Sequence, residues 1–385
     1  MVASFFSWPV AGTHCIIFGL LGFTVTAKGT DGIKNTQAFI QIVYMLFVSI
    51  IVSMVATALV YYPLYKYCIR TGSPFSGINK IVYSIITGLS VGIPVCFIIL
   101  QSNKAFDIFS KIWPSTDQDT WIVIGIGLGV SFLVTLLAIF VTLPYLKNCK
   151  GDFKLDADIR FWTKKKTELL EADKMKMKEE MNGNLCPEAG DTKEEEEEEK
   201  EEGDSPEIKR IFRPLQIISA MTSALVHGGN DVANCIGPFV VIYLVFQEGV
   251  IDEISYSSPF LISLWGGIGI SLGLIFYGKK VIITMGSGIS SMTPSRGYCV
   301  EWVASLVGLI FTATGLMIST TQCKVGGLIG AGLAQGLVET GSPREALKYV
   351  NFKVLSGVLF SWILTIPVAF GLSSVIFLLL KYVLL

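Results

Sequence analysis

The chain has 385 residues, 51% of them hydrophobic and only 16% charged, with a mean hydropathy of +0.59 and a formal net charge of −1. Those values exclude a soluble globular domain, provide no bulk attraction to nucleic acid, and describe a polytopic membrane protein. The eight cysteines form no metal-type CxxC pair and no secreted-type framework, so they read as small buried hydrophobes.

In chain order, the first apolar segment covers residues 7–27 and contains Pro9-Val10-Ala11-Gly12-Thr13-His14-Cys15. The polar turn Lys28-Gly29-Thr30-Asp31-Gly32 separates it from a long span over residues 39–62. A basic connection follows, with Lys66, Arg70 and Lys80 and the turn residues Gly72, Pro74 and Gly77. Spans near residues 81–100 and 121–143 complete a first transmembrane half, residues 1–146. Residues 147–213 then read as a charged, partly disordered cytosolic linker holding Lys164-Lys165-Lys166 and an unbroken acidic run from Glu194 to Glu199. The second transmembrane half, residues 214–385, has apolar segments near 215–246, 260–277, 298–317, 318–336 and 354–385. Segments this long are predicted to be helices, because lipid leaves no other way to pair an isolated backbone. The positive charges of Lys66, Arg70, Lys80 and the linker place those loops in the cytosol, and the turn at 28–36 outside.

The most informative stretch is His227-Gly228-Gly229-Asn230-Asp231-Val232-Ala233-Asn234, inside the apolar segment 215–246. A carboxylate at the centre of a membrane helix costs about 2.5–3.5 kcal/mol, so Asp231 calls for a partner or a function. The paired glycines are poor helix formers and predict a local unwinding that exposes backbone groups to a substrate or ion. Beyond them Asn230 and Asn234 share a helical face, with Asp231 adjacent. The competing structural reading, an Asn/Asp set that only glues helices, does not require a carboxylate.

Two further stretches resemble each other. Thr13, Cys15, Gly19 and Gly22 recur at identical spacing as Thr321, Cys323, Gly327 and Gly330, and each set is followed by a polar turn and a long span. The turns lie on opposite sides of the membrane, which predicts an inverted-topology repeat with broken or re-entrant helices. Asn230 precedes Thr321 by 91 residues, so an equivalent Asn/Asp motif belonging to the first repeat is expected upstream of Met1, and the chain is expected to lack the opening part of that repeat.

These stretches resemble the inorganic phosphate transporter family (PiT), the type III sodium-dependent phosphate symporters. His227 to Asn234 is similar to the family's G-A/G-N-D-V-A/S-N motif, and Ser319-Thr320-Thr321-Gln322-Cys323-Lys324-Val325-Gly326 to its S-T-T-H-C-K-V-G. Gly12-Thr13-His14-Cys15 is similar to its first-half S-G-T-H-C, and Thr293-Pro294-Ser295-Arg296-Gly297 to the segment before an intramembrane glutamate, here Glu301. The resemblance covers both hydrophobic blocks. Ala11 stands where the family has Ser, Gln322 where it has His and Met317 where it has Pro.

The resemblance implies sodium-coupled symport of inorganic phosphate by a multi-pass protein of the plasma membrane. It implies no enzyme activity and no cofactor beyond sodium as the co-transported ion. Phosphate would be held by Asn230, Asp231, Asn234, Ser319, Thr320, Thr321, Gly12 and Thr13. Sodium would be held or coupled by Asp231, Asn234, Thr13, Ser319 and Glu301, with the ion itself at Asp231 and Asn234. The partners are phosphate, sodium and the lipid bilayer, with room for a homodimer and no nucleic acid. Because Asp231 repels an anion, sodium must intervene between them. Glu301 could instead pair with Arg296 or Lys324. Two rivals come from other classes. An intramembrane hydrolase fails for want of an HExxH motif, and neighbours such as Thr13 and His14 do not face one another on a helix. A transport-inactive truncated form, acting as a receptor, binding partner or regulator, is the alternative that the missing half-motif keeps open.

Overall fold

A computed structural model of the chain describes residues 10–70, 75, 77–101, 119–148, 204–248, 259–278, 289–290, 292–314, 316 and 318–384. Among the described residues every regular element is helical. Helix α1 is Gly12–Lys28, closed by a 3-10 turn Gly29–Gly32. Helix α2 is Thr36–Leu64 and runs on as a π turn, Tyr65–Ile69. Helix α3 is Gly77–Gln101, and α4 is Asp119–Leu137, followed by the π turn Ala138–Thr142 and α5, Leu143–Asn148. Helix α6 is Pro206–Glu248, α7 is Pro259–Gly273 with a π turn Leu274–Gly278, α8 is Pro294–Ala313 and α9 is Thr320–Thr340. A short α10, Pro343–Ala346, and a 3-10 turn Leu347–Tyr349 lead to α11, Phe352–Leu384. The chain divides into one unit formed by Met1–Pro144 with Gly203–Leu385 and another of Tyr145–Glu202. Of the second, only the helical residues 145–148 are described.

Among the described residues, six helical stretches are long and apolar enough to cross a membrane: Thr36–Ile69, Gly77–Phe97, Val123–Asn148, Pro206–Phe246, Leu261–Gly278 and Phe352–Val383. Helices α1, α8 and α9 are not among them, and α1 and α9 carry the repeated motifs. α8 and α9 replace two adjacent apolar segments of the sequence reading; Thr314, which closes α8, and the extended Ser319, which opens α9, are both outside the helices. Among the described residues a break in the helical run therefore lies just ahead of α9, and α1 likewise starts from an extended residue, Ala11.

Two expectations are corrected. The predicted unwinding at Gly228-Gly229 does not occur, because α6 runs through both glycines and neither has a positive φ. Two mid-helix glycines cost about 1 kcal/mol each, less than leaving backbone groups unpaired at membrane depth. The linker boundary at residue 213 is also too late. α6 begins at Pro206, with Ile208, Ile211 and Phe212 buried and the Phe212 ring against Tyr83 and Tyr298. The Asp204 carboxylate accepts the Ser295 amide at 2.8 Å and the Ser295 hydroxyl at 2.7 Å. The charges of Lys209, Arg210 and Arg213 hid an apolar face spaced i, i+3, i+4. The rest of the predicted linker, from residue 149 to 203, lies outside the described residues, as does Met317.

Packing follows the repeat. α9 packs on α2, while α1 packs on α11, so each repeat's motif helix lies against the long span of the other. Glycine makes both contacts close. A Cβ on Gly330 would meet the Met54 carbonyl oxygen at 2.1 Å, and one on Gly22 would meet the Phe370 carbonyl oxygen at 2.3 Å. Small residues are what let backbones approach this closely in a membrane.

Candidate functional site

The site is built where α1 and α9 begin. Ala11 and Ser319 both have extended backbones, and neither caps its helix with a side chain. The first intrahelical bonds are Cys15 N–H to Ala11 at 3.3 Å and Cys323 N–H to Ser319 at 3.1 Å, at equivalent positions. The amides of Gly12, Thr13 and His14, and of Thr320, Thr321 and Gln322, therefore precede the helical ladder and are left to an outside acceptor. By contrast Asn35 and Thr293 do cap α2 and α8. Two helix starts with their positive dipole ends unquenched form an anion-seeking arrangement.

The two starts meet. The His14 Nε2 lies 3.2 Å from the Gln322 Nε2, a contact between residues equivalent in the repeat. His14 is otherwise enclosed by Phe18 and Trp362, whose rings meet it edge-on. One turn of α6 spans both starts. Asn234 donates through Nδ2 to the Thr13 hydroxyl at 3.5 Å, and Asp231 of the same turn interacts with Thr320 at the start of α9. A turn earlier, Asn230 accepts from Thr312 of α8 at 3.2 Å. Asn230 and Asn234 also line a cavity of ≈590 Å³ with Ile17, Thr312 and Ile318. Its walls are mostly apolar, which makes each polar group on them count for more.

Of the sequence-predicted residues, Asn230, Asp231, Asn234, Gly12, Thr13 and Thr320 are thus brought together. Ser319 and Thr321 flank Thr320 at the same helix start, with Ser319 buried. Glu301 stands apart on α8. Its carboxylate lies 3.1 Å from the Lys324 ammonium, at ion-pair distance without hydrogen-bond geometry. Arg296, the other candidate partner, turns instead to Ser290 at 3.1 Å and to Gln335. His227 is buried with neither ring nitrogen hydrogen-bonded among the described residues, beside Gly308.

Lys324 was a candidate partner of Glu301 in the sequence, but its link to Asp231 was not read there, and Thr312 was not assigned at all. Lys324 ion-pairs with Glu301 and also acts electrostatically on Asp231. Its position four residues after Thr320, one turn along the same helix, was the available signal. Thr312 carried none, since nothing in an apolar helix marks one hydroxyl as the partner of Asn230.

The chain matches the Phosphate transporter family over residues 1–373. It is 36% identical over 182 residues to sodium-dependent phosphate transporter 1 of Felis catus and of Homo sapiens, covering 47% of this chain and 25% of each relative. Sodium-dependent phosphate transporter 1-B of Danio rerio is 34% identical over 198 residues, 51% of this chain and 28% of that protein. The match thus spans about a quarter of the length of these curated relatives. A solved structure described as the sodium-dependent phosphate transporter is similar with a TM-score of 0.69 and 25% identity, over 99% of this chain and 76% of that one.

Proposed function

We propose that this chain, which belongs to the phosphate transporter family, serves sodium-coupled symport of inorganic phosphate across a membrane. The observation that carries the reading is the meeting of two uncapped helix starts over one turn of α6 that supplies Asp231 and Asn234. Six ladder-free amides and the hydroxyls of Thr13, Ser319, Thr320 and Thr321 are donors suited to phosphate oxygens.

Charge dictates the coupling. Asp231 and Glu301 face one cation, Lys324, which leaves one negative charge uncompensated among the three. Phosphate entering beside that charge is repelled, whereas a sodium ion held by the Asp231 carboxylate and the Asn234 amide oxygen cancels it. Each ligand then improves the binding of the other by the same factor, as linkage requires. Glu301 serves in this reading as the charge that fixes Lys324 and tunes the field at Asp231. The names of the relatives, sodium-dependent phosphate transporters, favour transport over a purely receptor or regulatory role. A plasma-membrane location and a homodimeric assembly belong to the same proposal.

The test is uptake of labelled phosphate into vesicles holding the purified chain, with sodium or with choline outside. Uptake that needs sodium, and counterflow that needs both ligands, supports the assignment. Uptake equal in choline sinks the coupling, and no phosphate binding in either salt sinks the substrate.

A further inference from the structure

Among the described residues, the exchange of partners between the repeats has one seat filled and its counterpart open. α8 lies on a surface made by α9 and α2. Its Val303, Ala304 and Val307 form one buried cluster with Ile318 and Cys323, against which Val52, Ala56 and Val60 pack. Val300, one turn earlier, reaches to 3.1 Å of where a Cβ on Gly327 would stand. The seat of α8 is therefore Ile318 just ahead of α9, Cys323 and Gly327 on α9, and Val52, Ala56 and Val60 on α2.

α1 and α11 rebuild that seat residue for residue. The motif spacing sets Val10 for Ile318, Cys15 for Cys323 and Gly19 for Gly327. The register of the long helices follows from the two close glycine contacts. Gly22 meets Phe370 as its counterpart Gly330 meets Met54, so Phe370 stands for Met54. Val368, Leu372 and Ile376 then stand for Val52, Ala56 and Val60. All six counterparts line one groove of ≈660 Å³ between α1 and α11. Cys323 is fully buried under α8, whereas Val368, Leu372 and Ile376 are 56%, 61% and 48% exposed.

We propose that the groove between α1 and α11 is the docking site for one more membrane helix with the chemistry of α8. That helix presents small and β-branched side chains at i, i+3, i+4 and i+7, as Val300, Val303, Ala304 and Val307 do. Lipid tails are as apolar as the groove, so burial alone selects no occupant in a bilayer. Close packing on small residues and hydrogen bonds across the interface do select one. Cys15 and Gly19, four apart, form the small-residue face, and Ser373 adds a hydroxyl to the groove. An acyl chain satisfies neither feature, and a helix satisfies both.

The test uses the full chain in detergent with Phe377, on the groove, replaced by photoreactive benzoylphenylalanine. The probe is a biotinylated peptide with this chain's own Pro294–Ala313 sequence. Illumination is expected to join peptide to chain roughly tenfold more than when the same group replaces Ile363, which lies outside the groove lining. Gly19→Trp and Leu372→Trp, which fill the groove, are each expected to remove the cross-link; a Cβ on Gly19 meets nothing within 4 Å, so the side chain starts into open space. A melting curve for each variant separates a filled groove from a damaged fold. Equal labelling at residues 377 and 363 would mean detergent partition alone and would overturn the proposal. Two copies of the chain joined to each other in place of the peptide, or a cross-link that survives Gly19→Trp in a chain that melts normally, would overturn it as well. The readout is helix capture, so it stands or falls apart from transport.

Discussion

Gly330→Ala changes one hydrogen into a methyl group at the tightest contact between α9 and α2. The new carbon would stand 2.1 Å from the Met54 carbonyl oxygen, where ordinary contact begins at 3.4 Å. The helices must separate by the difference, about 1.3 Å, because the obstacle is backbone and has no rotamer to change. Overpacking of this kind costs about 1–3 kcal/mol, and the rigid obstacle puts the value near the upper end. Gly326, one turn earlier on the same face, meets the Ile50 carbonyl oxygen at 2.3 Å, so nearby packing offers no slack. The control is Gly269→Ala in α7, where a Cβ meets nothing within 4 Å. That control removes a helix-destabilising glycine worth about 1 kcal/mol and should not lower stability. Thermal unfolding in detergent reads both. Gly330→Ala should melt roughly 5 °C lower than the parent, taking about 2 °C per kcal/mol for a chain of this size. A melting temperature equal to the parent's, with Gly269→Ala also unchanged, would refute the close approach of α9 to α2. The same shift displaces the start of α9, so phosphate uptake should fall with it.

Asp231→Asn keeps the shape and removes the charge that offsets sodium; at 4 Å and an effective dielectric of 20 that charge is worth about 4 kcal/mol, or roughly 10³-fold in sodium affinity. Sodium-dependent uptake should vanish with insertion intact, and near-normal uptake at saturating sodium would sink the assignment. Lys324→Gln leaves Asp231 and Glu301 without their shared cation. Apparent sodium affinity should then rise and phosphate affinity fall, and titrations in which neither moves would exclude electrostatic coupling. Deleting residues 183–202 and joining the ends with a flexible spacer should preserve abundance and uptake, so loss of uptake at normal abundance would give the segment a further role. Asp204→Ala removes the acceptor of two hydrogen bonds to buried Ser295. A loss of about 3 kcal/mol is expected, and an unchanged melting curve would show that the α6 start is not anchored there.

The chain's class, its long helices and its polar motifs were legible in the sequence because each is a local property. An apolar run of about twenty residues has to pair its own backbone in lipid, so spans such as 39–62 and 354–385 were found within a few residues of α2 and α11. Asp231 announced itself by its desolvation cost. The repeat of Thr13, Cys15, Gly19 and Gly22 in Thr321, Cys323, Gly327 and Gly330 was visible as spacing alone. Local reasoning failed where the outcome depended on a neighbour. Gly228 and Gly229 look like a break, but α6 keeps its ladder through them because membrane depth penalises an open one. Residues 204–213 look like linker, but Ile208, Ile211 and Phe212 find a surface to cover.

Composition and spacing by themselves determined a membrane-embedded helical protein with an acid-bearing motif and two related halves, since hydropathy and periodicity act along the chain. Only the tertiary structure decided which groups share a site. It put Asn234 against Thr13, 221 residues away, His14 against Gln322, 308 residues away, and Lys324 rather than Arg296 against Glu301. Those pairings depend on how α1, α6, α8 and α9 pack. Packing is fixed by the fit of small residues and by the satisfaction of buried polar groups across helices, neither of which any one segment carries alone.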